Sequence, residues 1–177
     1  MKQGEKGFNT IELLVALAII ALIGSAAAKT IFQTISVTGQ SSSHIIAVRQ
    51  VQNGGYWISH DAQMAENAVV DNLEPPNFLI LTWTEQNYEG GKQIHHSVTY
   101  FFEDLSGAVG NLKRNHWSTA GANEQTLVAK HIYYDPNDPD NTTKATYTSP
   151  VLTVKLTAVF EDATETKEYQ VQHRKNF

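Results

Sequence analysis

Glu12 stands at the head of an apolar run, five residues after Gly7: Gly7-Phe8-Asn9-Thr10-Ile11-Glu12-Leu13-Leu14-Val15-Ala16-Leu17. It is the only charged residue between Phe8 and Ala28. A carboxylate entering a bilayer segment costs a few kcal/mol, so such a group is expected to have a function and a partner. A second concentration of chemistry lies in Asp135-Pro136-Asn137-Asp138-Pro139-Asp140-Asn141. Its carboxylates and amides are hard oxygen ligands of the kind that suit Ca²⁺. Asp135, Asn137, Asp138 and Asp140 are the candidate ligands. The spacing departs from the EF-hand loop, because Pro139 takes a ligand position and the glycine is missing. The alternative is a solvated acidic turn shaped by Pro and Asx residues.

The histidines give weaker signals. His60 and Asp61 are neighbours on an expected helix and point about 100° apart, which favours structural or surface roles. His95 and His96 fall in or beside an expected strand, where adjacent side chains face opposite ways. A two-histidine metal face there needs a spacing of two. His116 and His131 lack an Asp or Glu at ligand spacing. No local Ser-His-Asp signature or phosphate-cradling glycine motif is present, since Gly107 and Gly110 sit too sparsely. Asn141-Thr142-Thr143 fits a glycosylation triplet, a pattern too common to weigh.

Residues 8–28 extend about 30 Å as a helix, the thickness of a bilayer core. Lys2 and Lys6 precede this stretch and Lys29 follows it. Ile31, Ile35, Ile45, Val48, Val51 and Ile58 carry a helical periodicity onward. Thr38 to Ser43 and Gly54-Gly55 are soft spots within it. One continuous helix to about Glu66 is expected, with a break near residue 40 as its rival. Asn72, Glu74, Pro75 and Pro76 end the helical region. Alternation then marks strands. Leu79, Leu81 and Trp83 form one face, as do Val98, Tyr100 and Phe102. The clearest strand is Val151–Glu161, with Leu152, Val154, Leu156, Ala158 and Phe160 on one side. A hairpin partner follows at Thr166–Val171, and shorter strands are expected at Asn111–Arg114 and Leu127–Tyr134. One apolar and one polar face per strand is the pattern of an antiparallel sheet covered by a helix, so the class is α+β. Tyr56, Trp57, Trp83, Tyr88, Trp117, Tyr133 and Tyr134 are expected mainly in the core, with a partner surface as the alternative.

The chain has 177 residues, net charge −5 and no cysteine. Disulfides, thiolate catalysis and cysteine-based zinc sites are excluded. The acidic balance argues against a nucleic-acid footprint over the whole protein. Lys113-Arg114 and Arg174-Lys175 are thin material for a local one.

The string Lys6-Gly7-Phe8-Asn9-Thr10-Ile11-Glu12-Leu13-Leu14-Val15 resembles the N-terminal signature of type IV prepilins and type II secretion pseudopilins. The family more often has Thr where Asn9 stands. The resemblance implies cleavage by a prepilin peptidase between Gly7 and Phe8, N-methylation of Phe8, and Glu12 as the fifth mature residue. Residues 1–7 would be a leader peptide, 8–28 a transmembrane and filament-core helix, 29–66 its continuation packed on the sheet, and 67–177 an antiparallel β-sheet domain. The new amine of Phe8 is positive near neutral pH. Paired with Glu12 of a neighbouring subunit, it would offset the cost of burying both charges and set the stagger between subunits. The alternative for Glu12 is snorkelling to headgroups.

The pattern Ile58-Ser59-His60-Asp61-Ala62-Gln63-Met64-Ala65 is similar to the helix end of J-type minor pseudopilins and related minor pilins. Leu105-Ser106-Gly107, Gly110–Arg114 and Arg174-Lys175-Asn176 are diffusely similar to their sheet domains. The resemblance implies a non-enzymatic subunit with an extracytoplasmic domain, on a single-pass membrane anchor before filament assembly. Its partners would be other pilin or pseudopilin subunits, the peptidase, the inner-membrane assembly platform and the membrane. Some pseudopilins bind calcium; no other cofactor is implied. The competing function is an extracellular ligand-binding module with an ordinary signal peptide cut at Ala26-Ala27-Ala28, against which Glu12 and the early Gly7-Phe8 junction stand. An exported hydrolase is a third, with no catalytic constellation to carry it.

Overall fold

The computed structural model describes residues 9–71, 73–87 and 91–172. The leader 1–7 with Gly7, and Phe8, Asn72, Tyr88 and Arg174-Lys175-Asn176 lie outside the described residues. One helix, α1, runs without interruption over Thr10–Met64. The strands are β1 (Asn67–Val69), β2 (Asn77–Asn87), β3 (Lys92–Ser106), β4 (Val109–Ser118), β5 (Asn123–Tyr133), β6 (Lys144–Thr148), β7 (Val151–Phe160) and β8 (Ala163–Gln172). The architecture is α+β, a long N-terminal helix whose later part packs on an antiparallel sheet. By compactness the chain divides into two units, residues 1–42 and 43–177.

In the first unit the helix holds together by internal means. Residues Ile11, Leu14, Leu17, Ile20, Leu22, Phe32 and Ile35 are all exposed, on every side of the helix. Four of its hydroxyls bond to the helix backbone. Thr30, Thr34 and Thr38 each donate to the carbonyl four residues earlier, at 3.0, 2.9 and 2.8 Å, and Ser25 donates to Leu22 at 2.8 Å. Back-bonding of this kind lets Ser and Thr sit in an apolar helix without seeking water. The segment is long and apolar enough to cross a membrane, with mean hydropathy 2.4 over its best window.

In the second unit, residues 43–64 of α1 lie on one face of the sheet. The sheet order is β1-β2-β3-β4-β5-β7-β6, with β8 on β7, and every pairing is antiparallel. β7 pairs with β8 along its whole length and meets β5 only at Ile132 opposite Ala158. Leu79, Leu81, Val98, Tyr100, Phe102, Leu112, Ile132, Leu152, Val154 and Leu156 form the sheet side of the core. The expected apolar faces of β2, β3 and β7 are therefore found, but Trp83 is only half-buried. The strand expected at 111–114 extends over Val109–Ser118, and β1 and β6 were not foreseen. Both are short, and neither has a long alternating pattern of its own.

The helix stripe matches the expected one at Val51 and Ile58 and departs from it elsewhere. Ile31, Ile35 and Ile45 are exposed, while Ser43, Ala47, Val51, Gly54, Gly55, Ile58, Asp61 and Ala62 are buried. The reason is close approach: small residues let the helix backbone come down onto the sheet. A Cβ on Gly54 would lie 2.9 Å from Leu156 Cδ1, and one on Gly55 would lie 2.0 Å from the Tyr169 ring. Tyr169 cannot retreat freely, because its hydroxyl donates to the Val51 carbonyl at 3.0 Å. Gln50 Oε1 accepts from the Lys130 amide at 2.7 Å, and Ser43 donates to Glu161 at 2.5 Å.

The aromatics also redistribute. Tyr56 and Trp117 are exposed, Trp57, Trp83, Tyr133 and Tyr134 are half-buried, and Tyr100 and Phe102 carry the buried aromatic mass.

Replacing Gly55 by Ala is expected to destabilise the protein by about 1–3 kcal/mol through overpacking. Gly54→Ala should cost less, because the nearest atom is the end of a flexible leucine. Urea unfolding of the detergent-solubilised chain, followed by circular dichroism, checks both the sign and the order.

Candidate functional site

Glu12 lies in the first turn of α1, and one of its oxygens accepts from the Asn9 amide at 3.3 Å. Asn9 accepts in turn from the Leu13 amide at 3.2 Å. The Leu13 bond is the first backbone bond of the helix, and the Glu12 side chain reaching back to the Asn9 amide supplies the acidic half of a capping box, with Asn9 at the N-cap and Glu12 three residues on. The carboxylate also sits where the helix dipole favours negative charge. Glu12 is thus held in the first turn of the apolar helix, with its charge at the N-terminal end. Gly7 and Phe8, where the sequence resemblance implies cleavage and methylation, are outside the described residues.

The loop at 135–141 closes on itself. Asp135 Oδ1 accepts from the Asn137 amide at 2.9 Å and its side chain at 3.2 Å. Asp138 accepts from the Asn141 amide and side chain at 3.1–3.2 Å, and from the Tyr133 hydroxyl at 3.1 Å. The Asn141 amide group holds the Asp138 carboxyl below the usual carboxylate range. Lys144 donates to the Pro139 carbonyl at 2.8 Å, and Lys155 donates to the Asp140 carbonyl. The four candidate ligands are therefore spread along an Asx-type turn with local donors on the Asp135 and Asp138 carboxylates. Among the described residues, no group of three His, Cys, Asp or Glu side chains is placed to hold a metal ion.

His60 and Asp61 differ sharply in environment although His60 Nδ1 lies 3.7 Å from an Asp61 oxygen. His60 is exposed; Asp61 is completely buried. The Asp61 carboxylate is gripped by Arg114, with Nε at 2.7 Å and a terminal nitrogen at 3.0 Å, and by the Tyr100 hydroxyl at 2.5 Å. Arg114 also lies 5.3 Å over the Trp57 ring. Burial, then the negative charge of Asp61, pushes the Tyr100 hydroxyl well above its ordinary value, so it stays a donor. Every element of this cluster comes from a different part of the chain: α1, β3 and β4. Two signals pointed towards it. Asp61 continues the Val51, Ile58 and Ala62 stripe, and Arg114 shares the Leu112 side of β4.

His95 and His96 do face opposite ways. His95 contacts Thr84 at 3.1 Å on the exposed side, while His96 meets His116 at 3.1 Å on the helix side. His116 thus has a ring partner from another strand, which spacing along β4 could not reveal. Comparison of the chain with protein-family models, curated proteins and solved structures finds no match.

Removing one partner of a buried bidentate pair leaves an uncompensated charge. Arg114→Met should therefore cost about 3–5 kcal/mol in equilibrium unfolding. Tyr100→Phe, which removes one hydrogen bond and keeps the ring, should cost about 1–3 kcal/mol. Equal costs for the two variants would show that Asp61 is not held as a charge.

Proposed function

We propose that the chain is a minor pilin or pseudopilin subunit, cut by a prepilin peptidase after Gly7 and N-methylated at Phe8. In this reading it assembles into, or primes the tip of, a type IV pilus-like or type II secretion filament. The observation that carries it is Glu12, capping the start of a helix whose next sixteen residues hold no charge and are exposed on all sides. An apolar surface of that extent needs cover, by lipid before assembly and by the helices of sibling subunits afterwards. The carboxylate is at the right end to meet the terminal amine of a neighbour. It would exchange its contact with the Asn9 amide for an ion pair in a dry environment, where a lone charge is costly.

The second unit supports the reading through shape and chemistry. A helix held on an antiparallel sheet by Gly54, Gly55 and the Asp61–Arg114 pair is a rigid block suited to outward display. The partners are other subunits, the peptidase, the inner-membrane assembly platform and the membrane. The protein is proposed to act by assembly rather than catalysis.

Intact mass and terminal peptide sequencing of the protein from native membranes is the direct test. A chain that begins at Phe8 and is heavier by one methyl group is the expected result. A chain that begins at Lys29 would make residues 29–177 a secreted binding domain and end the filament reading. Gly7→Ala should block maturation. Glu12→Ala should leave membrane insertion intact and sharply reduce incorporation into filaments, read by shearing and immunoblotting.

A further inference from the structure

A chain of titratable groups on the helix-facing side of the sheet has no part in the filament reading. His96 of β3 and His116 of β4 sit diagonally across the strand pair, where Val98 is opposite His116 and His96 is opposite Ser118. His96 Nδ1 and His116 Nε2 are 3.1 Å apart. The rings lie within 13° of parallel with centroids 5.3 Å apart. That separation is about the N···N distance plus the two ring radii, so the rings meet edge to edge, nitrogen to nitrogen. Trp83 of β2 lies nearly parallel to both, at 5.0 Å from His96 and 5.8 Å from His116. His96 Nε2 is buried without a hydrogen bond, and a Glu85 oxygen stands 3.4 Å from it, an ion-pair distance.

We infer that the His96–His116 pair is an acid-released latch joining the ends of β2, β3 and β4. A hydrogen bond between two imidazoles needs one N–H and one lone pair. One hydrogen fits between the facing nitrogens, and a single extra proton can be shared by the pair without breaking the contact. Protonating both rings puts a hydrogen on each facing nitrogen, so the bond becomes a repulsion. Glu85 from β2 offsets one positive charge at its outer end. Arg114, on the same face of β4, opposes a second. Glu124 from β5 and Asp61 from α1 attract charge to His116 from further elements. Burial, then Arg114 and His96, outweigh them and hold His116 below its ordinary value.

The sign follows from that direction. Above the unfolded value the contribution to stability is complete. As pH falls through that value toward the lower native one, the unfolded chain binds more protons, and stability is lost. The loss is localised where the rings sit, at residues 96–98 of β3 and 116–118 of β4. Opening there removes the cover from Trp83.

The test uses the ¹⁵N-labelled full chain in detergent micelles. At neutral pH a scalar coupling across the N–H···N bond between His96 Nδ1 and His116 Nε2 is expected. It should vanish reversibly on acidification while the remaining sheet amides keep their folded positions. Absence of the coupling at neutral pH overturns the latch without any variant. Amide exchange at 96–98 and 116–118, corrected for intrinsic rates, should accelerate about tenfold on acidification, the weight of one buried hydrogen bond. His116→Gln, whose amide does not titrate, should remove that acceleration. Identical pH profiles for the two proteins would overturn the inference.

Discussion

A buried carboxylate sets the terms for the packed half of this molecule. Asp61 has no access to water, so its charge must be answered inside the protein. Arg114 answers it with two nitrogens and Tyr100 with its hydroxyl. Because these partners come from adjacent strands, the helix has one register and one rotation in which the charge is satisfied. Sliding α1 by one turn would bury Asp61 against aliphatic side chains and strand Arg114. An apolar seam alone tolerates such slips; a seam containing a fixed charge pair does not.

The rest of the interface is consistent with that lock. The helix can sit low enough for Asp61 to reach Arg114 because Gly54 and Gly55 carry no side chain toward Leu156 and Tyr169. Tyr169 then uses the approach to donate to a helix carbonyl. Trp57 covers the guanidinium from the helix side. With no cysteine in the chain, these polar and steric fits take the place a disulfide would hold in tying helix to sheet.

The first unit has the opposite logic. Its described apolar side chains are exposed, and the hydroxyls of Ser25, Thr30, Thr34 and Thr38 bond to the helix backbone. Such a segment is complete as a helix and incomplete as a surface. Whatever covers the stretch from Leu13 to Ala28 must be apolar, and the charges that flank it, Glu12 and Lys29, stand at its two ends. The proposed filament role rests on that asymmetry between an enclosed packed unit and an uncovered helical one.

Local chemistry was legible in the amino-acid sequence. The length and hydropathy of residues 8–28, the placement of Glu12, the persistence of one helix to about residue 64 and the alternation in β2, β3 and β7 depend on neighbours within a few residues. Covalent spacing determines them directly. What the sequence left open are features that need distant segments in contact. Of the stripe expected on Ile31, Ile35, Ile45, Val48, Val51 and Ile58, Val51 and Ile58 are buried, while Ala47, Gly54 and Gly55 complete it in place of Ile31, Ile35 and Ile45, because the depth of approach depends on the sheet below. Asp61 was expected to have a structural or surface role apart from His60; only tertiary structure brings Arg114 and Tyr100 to it. His116 lacked a partner along its own strand and acquires His96 from the next. Pairings of this kind are set by strand register and helix rotation, which are minimised over the whole core at once and leave no trace in any single segment.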